Sequence, residues 1–182
     1  MRRIIAHAIR GEAKIAHEAI TRDLAEKFDS FPIHERIPPH LTLKRWFELD
    51  EQGVDALYKT LDAFAASQKQ SHYSLSGFGN FGEGVIYVDV VPSAKMLQSE
   101  VALLDVLRKV EGMTFDEFDK GSDFHFHATV AMRALKPFDF NQIWNYLKTV
   151  PQPDFKMKFD NIAVFKKPVD VWEVERIWEL SS

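Results

Sequence analysis

Apolar and polar residues alternate along the chain in a way that predicts two successive sets of strands and helices. Short β-branched and aromatic runs predict strands, and apolar residues at every third or fourth position predict amphipathic helices. Prolines predict a loop in the first half, because proline cannot lie in a helix interior. The elements predicted for this half are a strand at 4–9, a helix at 16–28, the loop at 31–39, a strand at 41–47, a helix at 54–65 and a strand at 72–78.

The second half repeats the same order of elements. Its predicted elements are a strand at 85–91, a helix that Pro92 and Ser93 open and Gly112 ends, a strand at 124–132, a helix capped by Asp139, and a closing hairpin with strands at 155–166 and 171–180. This repeat predicts an α+β fold with two pseudo-symmetric lobes, each a mainly antiparallel sheet with helices on the outside. No long Gly/Ser linker divides the chain, so residues 1–182 are predicted to form a single bilobal domain.

Composition limits the chemistry and the partners of the protein. The 182 residues include no cysteine, which excludes disulfides, thiolate catalysis and cysteine-ligated zinc. The apolar run near the N-terminus is short and interrupted by His7, and no stretch is long enough to span a membrane, so we expect a cytoplasmic protein. The net charge of −4 favours binding of one local phosphate over binding of long nucleic acid.

A His-x-Thr-apolar pattern occurs once in each half, as His-Leu-Thr-Leu at 40–43 and His-Ala-Thr-Val at 127–130. In a strand, His and Thr two residues apart share a face, while the apolar residues point to the other face. One imidazole can remove a proton and the other can donate one, because histidine titrates near pH 6.5. We therefore predict that His40 and His127 are a catalytic acid–base pair facing a central cleft, with Thr42 and Thr129 as phosphate ligands.

Residues next to the motifs extend this predicted site. Strand alternation places Lys44 and Trp46 on the face of His40, and His125 and Arg133 on the face of His127. Lys44 and Arg133 are predicted to bind phosphate, and His125 and Trp46 to line the cleft or stack on substrate. A metal site made of His125 and the two motif histidines is an open alternative, although the main prediction includes neither metal nor cofactor.

The segment 77–82 contains a Gly-x-Gly-x-x-Gly pattern. The pattern is typical of dinucleotide-binding turns when a helix follows, but here a strand follows, which favours a tight turn with glycine at positive φ. Phe81 is then predicted to line the cleft and stack on a base. Among the other histidines, His7 is interpreted as structural, and His17 and His34 as surface residues. The acidic stretch 116–119 is interpreted as a solvated loop.

Taken together, these motifs resemble those of the 2H phosphoesterase superfamily, which includes bacterial 2′-5′ RNA ligase-like proteins and cyclic nucleotide phosphodiesterases. The resemblance covers nearly the whole chain, including the first strand, both His-x-Thr motifs, the segment 76–81 and the ending at 172–180. It implies a cleft between two lobes, metal-independent hydrolysis of 2′,3′-cyclic phosphates, and the roles given above to the motif residues. The proline that commonly precedes the motif histidine is present as Pro39, whereas Phe126 occupies that place in the second copy.

The sequence therefore predicts a metal-independent phosphoesterase of the RNA-processing kind. Its substrate is predicted to be a nucleotide or RNA end with a terminal or cyclic phosphate, and no obligate protein partner is inferred. Three alternatives stay open: 2′-5′ RNA ligation by the same two histidines, non-catalytic binding of RNA or nucleotide in the same cleft, and a metallohydrolase.

Overall fold

The computed structural model describes residues 1–119, 124–134 and 138–182. Helices and strands occur close to most of the predicted positions. The described elements are β1 (Arg2–Ala8), α1 (Gly11–Phe28), α2 (Ile33–Arg36), β2 (His40–Glu48), α3 (Glu51–Ser67), β3 (Ser71–Phe81), β4 (Val85–Pro92), α4 (Ala94–Leu107), β5 (His127–Met132), α5 (Phe140–Leu147), β6 (Asp154–Phe159), β7 (Asn161–Lys167) and β8 (Glu173–Glu179). Within the predicted loop at 31–39, α2 forms a single helical turn.

The strands form two four-stranded antiparallel sheets, with the orders β2-β1-β7-β8 and β5-β4-β3-β6. The two His-x-Thr strands, β2 and β5, occupy the same edge position in their sheets. The predicted α+β fold with two pseudo-symmetric lobes is confirmed.

The lobes differ from the two halves of the sequence. The last strand predicted for the first half, β3, pairs with β4 in the second sheet, and the C-terminal strands β7 and β8 join the first sheet. The single strand predicted at 155–166 is wrong, because the chain leaves one sheet at Asp160 and enters the other. The β7–β8 hairpin is confirmed. Hydrophobic periodicity identifies strands, but their partners are chosen by contacts between distant segments.

The apolar residues of both motifs pack into one shared core. Leu41 and Leu43 of β2 and Ala128 and Val130 of β5 are all buried in the same hydrophobic cluster, and the two strands contact each other. Burial of these side chains leaves the opposite faces of the motif strands available for chemistry.

Side-chain caps begin three of the helices, in agreement with the Ser93 and Asp139 predictions. Asp50 accepts from the backbone N–H of Gly53, Ser93 from Met96, and Asp139 from Gln142. Each cap satisfies one of the backbone donors that a helix leaves unpaired at its first turn. No helix in the described ranges is long and apolar enough to cross a membrane.

His7 is a structural residue between the sheets, as predicted. Its side chain is buried, with Nδ1 3.0 Å from the carbonyl oxygen of Asn161 and Nε2 3.0 Å from the Tyr73 hydroxyl. The Asn161 amide also bonds both backbone groups of Ala8. This buried network stabilises the point where the chain passes from β6 to β7.

Candidate active site

The two motif histidines begin equivalent strands, and the same local hydrogen bond orients both rings. His40 is the first residue of β2 and His127 the first residue of β5. In each ring Nδ1 lies close to the carbonyl oxygen two residues earlier, 2.8 Å from Pro38 and 2.9 Å from His125. A carbonyl oxygen only accepts, so Nδ1 carries the proton in both neutral rings. The lone pair is therefore on Nε2, which is the atom left for proton transfer.

The pKa values of both motif histidines are lowered, mainly by burial. Burial lowers the pKa of His40 to about 4; the hydrogen bond to Pro38 raises it, and charge on His127 lowers it further. Burial also lowers the pKa of His127, while the carbonyl of His125 raises it, the His125 ring lowers it and the Asp89 carboxylate raises it. His40 and His127 come from different lobes, and contacts between β2 and β5 bring the two motif strands together.

A cavity of about 320 Å³ opens beside His40 and is lined by residues of both motif strands. His40 comes from β2, and Thr129 and Met132 come from β5. The other lining residues include His17, Phe31, Arg36, Ile37, Lys167 and Trp172. A larger and more open groove of about 570 Å³ lies between α3 and α4, but its lining contains neither motif. The two threonines are half-buried, and Thr42 lies outside the lining of the smaller cavity.

The wall beside His127 consists of aromatic rings. The ring centroid of Phe81 lies 4.9 Å from that of His127, and the Tyr87 ring lies 5.3 Å from it. His125 contacts both aromatic rings, and its Nε2 is 2.9 Å from Oδ1 of Asp89. Phe81 and His125 are exposed. The structure therefore places these two sequence-predicted residues beside a motif histidine.

Gly79 makes this aromatic wall possible. It is the cross-strand partner of Tyr87, and a Cβ atom there would lie only 2.5 Å from the tyrosine ring. The prediction of one tight turn over 77–82 is only partly right. Gly77 has positive φ at a bulge inside β3, Gly79 lies within the strand, and only Gly82, also at positive φ, belongs to the turn.

His17 is a third histidine beside the motifs, and its prediction as a surface residue is wrong. Helix α1 packs against β5, which leaves His17 6% exposed. Its Nε2 lies 3.0 Å from the carbonyl oxygen of Thr129. Burial lowers the pKa of His17 to about 4, and charge on His40 lowers it further. The predicted apolar stripe of α1 did not include His17, although this residue lies two turns before the buried Leu24 and so on the same face of the helix.

Lys44 lies in the protein interior and not beside the motif histidines. Its predicted role as a phosphate ligand is therefore wrong. Its Nζ is 2.9 Å from Oδ2 of Asp119, and its side chain is 1% exposed. Two register shifts between β1 and β2 place the consecutive residues Leu43 and Lys44 both in the interior. The acidic stretch at 116–119 is correspondingly not fully solvated, because Asp119 is buried in this ion pair.

Trp46 and Arg133 also lie outside the cavity lining. Trp46 is exposed near the far end of β2, where the guanidinium of Arg2 lies 5.1 Å from its ring centroid. This position, six residues along the strand from His40, corrects the prediction that Trp46 lines the cleft. Arg133 is exposed directly after β5, and its role in phosphate binding stays a prediction.

Two cations that the sequence pattern did not indicate line the cavity instead. Arg36 belongs to the α2 turn and Lys167 ends β7. Strand alternation could not identify them, because neither lies on a motif strand. In the parts of the chain that the structure describes, no three His, Asp or Glu side chains converge in a way that could hold a metal ion.

Comparison with known proteins places this fold and these motifs in a family. The sequence matches the 2'-5' RNA ligase superfamily over residues 11–170. No curated protein sequence matches the chain.

Three solved structures illustrate the shared fold. TT0787 of Thermus thermophilus is 21% identical, with a TM-score of 0.69 over 99% of this chain and 98% of that chain. E. coli LigT in complex with 3'-AMP is 16% identical, with a TM-score of 0.64 over 100% and 98%. Usb1 of Kluyveromyces marxianus is 12% identical, with a TM-score of 0.54 over 98% of each chain. Because the family match covers most of its length, the chain belongs to the 2'-5' RNA ligase superfamily, which confirms its membership of the 2H phosphoesterases.

Proposed function

We propose that the protein is a metal-independent phosphoesterase that hydrolyses a 2′,3′-cyclic phosphate, or a related phosphodiester, of a nucleotide or RNA end. One observation carries this proposal. The two motif imidazoles, from opposite lobes, each donate Nδ1–H to a backbone carbonyl and keep Nε2 for the reaction. A pair of such rings can serve as general base and general acid on either side of one phosphorus atom.

In the proposed reaction His40 removes a proton from water as its oxygen attacks phosphorus. The bond from phosphorus to one ribose oxygen breaks, and protonated His127 gives its proton to that leaving oxygen. This assignment of roles is supported by Asp89, whose carboxylate raises the pKa of His127, while no carboxylate acts on His40 among the described residues. The acid must hold its proton before the reaction, and the base must be free of one.

The threonines complete the proposed site. Each lies two residues after its histidine, about 6–7 Å along the strand. Their hydroxyl groups can donate to the non-bridging oxygens of the phosphate. A bound phosphate also favours the protonated form of a neighbouring imidazole, because opposite charges attract. Substrate is therefore expected to raise the pKa of His127 relative to the free enzyme.

A turnover screen on 2′,3′-cyclic mononucleotides and on RNA ending in a 2′,3′-cyclic phosphate tests the proposal. We expect a nucleoside monophosphate or linear RNA phosphate as product, with the rate unchanged by chelator. Loss of activity in chelator that returns with added metal would contradict the metal-independent reaction. Binding without turnover would instead support a non-catalytic module, and joining of a 5′-hydroxyl to the cyclic phosphate would support ligation.

A further inference from the structure

Two cationic side chains line the cavity beside His40 without a described ionic partner. Arg36 and Lys167 are both half-buried and both contribute to the cavity wall. The Nε atom of Arg36 is buried and has no hydrogen-bond partner among the described residues. Asp170 also lines the cavity, at an exposed position, but forms no ion pair with either cation within the described ranges.

Other cations of the same lobe are paired with carboxylates. Arg3 bonds Glu175 at 2.7 Å, Arg10 bonds Glu179 at 2.6 Å, and Lys166 bonds a glutamate of β8 at 3.3 Å. The contrast between Lys166 and its neighbour Lys167 is direct, because they are consecutive on β7. Pairing is therefore common for cations on this sheet, whereas the two cations at the cavity have no carboxylate partner within the described part of the chain.

A backbone hydrogen bond holds the two cation-bearing segments together. The N–H of Trp172 donates to the carbonyl oxygen of Arg36 at 2.7 Å. This bond joins the α2 turn to the turn between β7 and β8, so Arg36 and Lys167 are carried by connected segments. Connected segments can present two charges to one ligand group with little further ordering.

The cavity lies to one side of the proposed reaction centre. It reaches His40 and Thr129, but His127 and Thr42 are outside its lining. A phosphate held between the two histidines would therefore border the cavity. The cavity would then bind the part of the substrate that is attached to that phosphate. Its volume of about 320 Å³ is at the lower end of small-ligand sites. Apolar walls from Phe31 and Ile37 suit the faces of a sugar and base.

We infer that Arg36 and Lys167 form a binding site for a second phosphate group of the substrate, in addition to the phosphate that reacts. The inference rests on the proposed function and narrows its substrate class. Substrates with two phosphates are a 2′,3′-cyclic nucleotide with a 5′-phosphate and an RNA end whose last internucleotide phosphate enters the cavity. A 2′,3′-cyclic mononucleotide with a free 5′-hydroxyl lacks this group.

The test compares three substrates: adenosine 2′,3′-cyclic phosphate, its 5′-phosphorylated form, and the dinucleotide ApA with a 2′,3′-cyclic phosphate. Wild-type kcat/KM is expected to be at least about tenfold higher for one or both two-phosphate substrates, since a charge-assisted contact contributes about this factor. Preference for the 5′-phosphorylated form identifies a terminal phosphate, and preference for the dinucleotide alone identifies an internucleotide phosphate.

Variants Arg36→Gln and Lys167→Gln assign this preference to the two cations. Each is expected to lower kcat/KM for the preferred substrate about tenfold, mainly through KM, and to lower it much less for the cyclic mononucleotide. Lys166→Gln is the matched control, because it removes the same charge one residue away. It is expected to keep the wild-type preference.

Three results would overturn the inference. The first is an equal wild-type kcat/KM for all three substrates. The second is an equal decrease in kcat/KM for all three substrates in the Arg36 and Lys167 variants, which would place the cations at the reacting phosphate. If no substrate is turned over, the proposed function fails. Calorimetric measurement of the affinities for adenosine 3′,5′-bisphosphate and 3′-AMP then tests the second-phosphate site by itself. Equal affinity of the two ligands would then overturn the second-phosphate site, whereas tighter binding of the bisphosphate that Lys167→Gln abolishes would support it.

Discussion

The two His-x-Thr regions share a backbone arrangement but have different surroundings. In both, the histidine begins an edge strand and donates Nδ1–H to the carbonyl two residues earlier. His40 lies beside a half-enclosed cavity and a buried histidine, His17. His127 lies instead against the rings of Phe81 and Tyr87, near Asp89. The repeated fold supplies two similarly prepared imidazoles, and their neighbours make them unequal.

This inequality is what an acid–base pair needs. Two identical histidines would titrate alike, and neither would be favoured as acid or base. Among the described residues a carboxylate acts on one ring only, and the cavity that can receive substrate adjoins the other. The following predictions test this difference, in order of decreasing expected effect.

Removal of either motif imidazole should have the largest effect. His40→Ala and His127→Ala are each expected to lower kcat about 10³-fold, since general acid or base catalysis contributes about 10²–10⁴. The double variant should be little worse than either single variant, because the two groups act as a unit. Single-turnover kinetics on a 2′,3′-cyclic nucleotide measures this loss. His72→Ala, at an exposed histidine of β3, is the control, and an equal loss there would contradict the assignment.

Acid should destabilise the first motif region before the second. Burial lowers the pKa of His7 to about 4, as it does for His17 and His40, and the three lie on β1, α1 and β2. Between pH 6.5 and 4 the unfolded chain binds protons that the folded chain does not, so stability falls as pH falls. At pH 4.5 the protonation of His7 alone is expected to lower the free energy of unfolding by roughly 2–3 kcal/mol relative to pH 7.

Urea unfolding at pH 7 and pH 4.5 measures this loss, and hydrogen exchange locates it. Amides of β1 and β2 should lose protection before those of β4 and β5. His7→Gln removes the titrating group and should reduce the difference in unfolding free energy between the two pH values. An unchanged difference would show that His7 is not part of this effect.

The aromatic rings of Phe81 and Tyr87 should affect catalysis only through the second His-x-Thr region, because they contact His127. Gly79→Ala places a Cβ against the Tyr87 ring, which must move and carry His127 out of alignment. We expect kcat to fall about tenfold while the fold is kept, since a small misplacement of a catalytic group is costly. Gly84→Ala is the matched control, because its added Cβ meets no atom closer than 3.8 Å. Equal kinetics for the two variants would show that Tyr87 does not position the histidine.

The smallest effect is expected from Asp89→Asn. Both motif pKa values are lowered in the free enzyme, so kcat/KM should be bell-shaped with its maximum between about pH 4 and 6.5. Activity falls at higher pH as the acid loses its proton. Removal of the Asp89 charge lowers the pKa of His127 further, which moves this alkaline limb to lower pH. Asp105→Asn, at an exposed position on α4, should leave both limbs in place, and movement of the acidic limb in Asp89→Asn would reverse the two roles.

The sequence predicted most helices and strands, the two-lobe α+β fold and the motif residues. These properties depend on spacing along one segment, because strand alternation and helix periodicity are local. Local spacing also predicted Lys44 on the His40 face. This prediction is wrong, because bulges in β2 turn the residue into the core. A bulge arises from pairing between two strands and leaves no mark in the spacing of one strand.

By itself, then, the sequence determined that the chain has two equivalent His-x-Thr strands with apolar residues behind them. Only the tertiary structure decided that β3 crosses to the second sheet, that His17 reaches Thr129, and that Arg36 and Lys167 share a cavity with His40. The physical reason is that these contacts join segments far apart in the chain, so their energies depend on packing that no single segment contains.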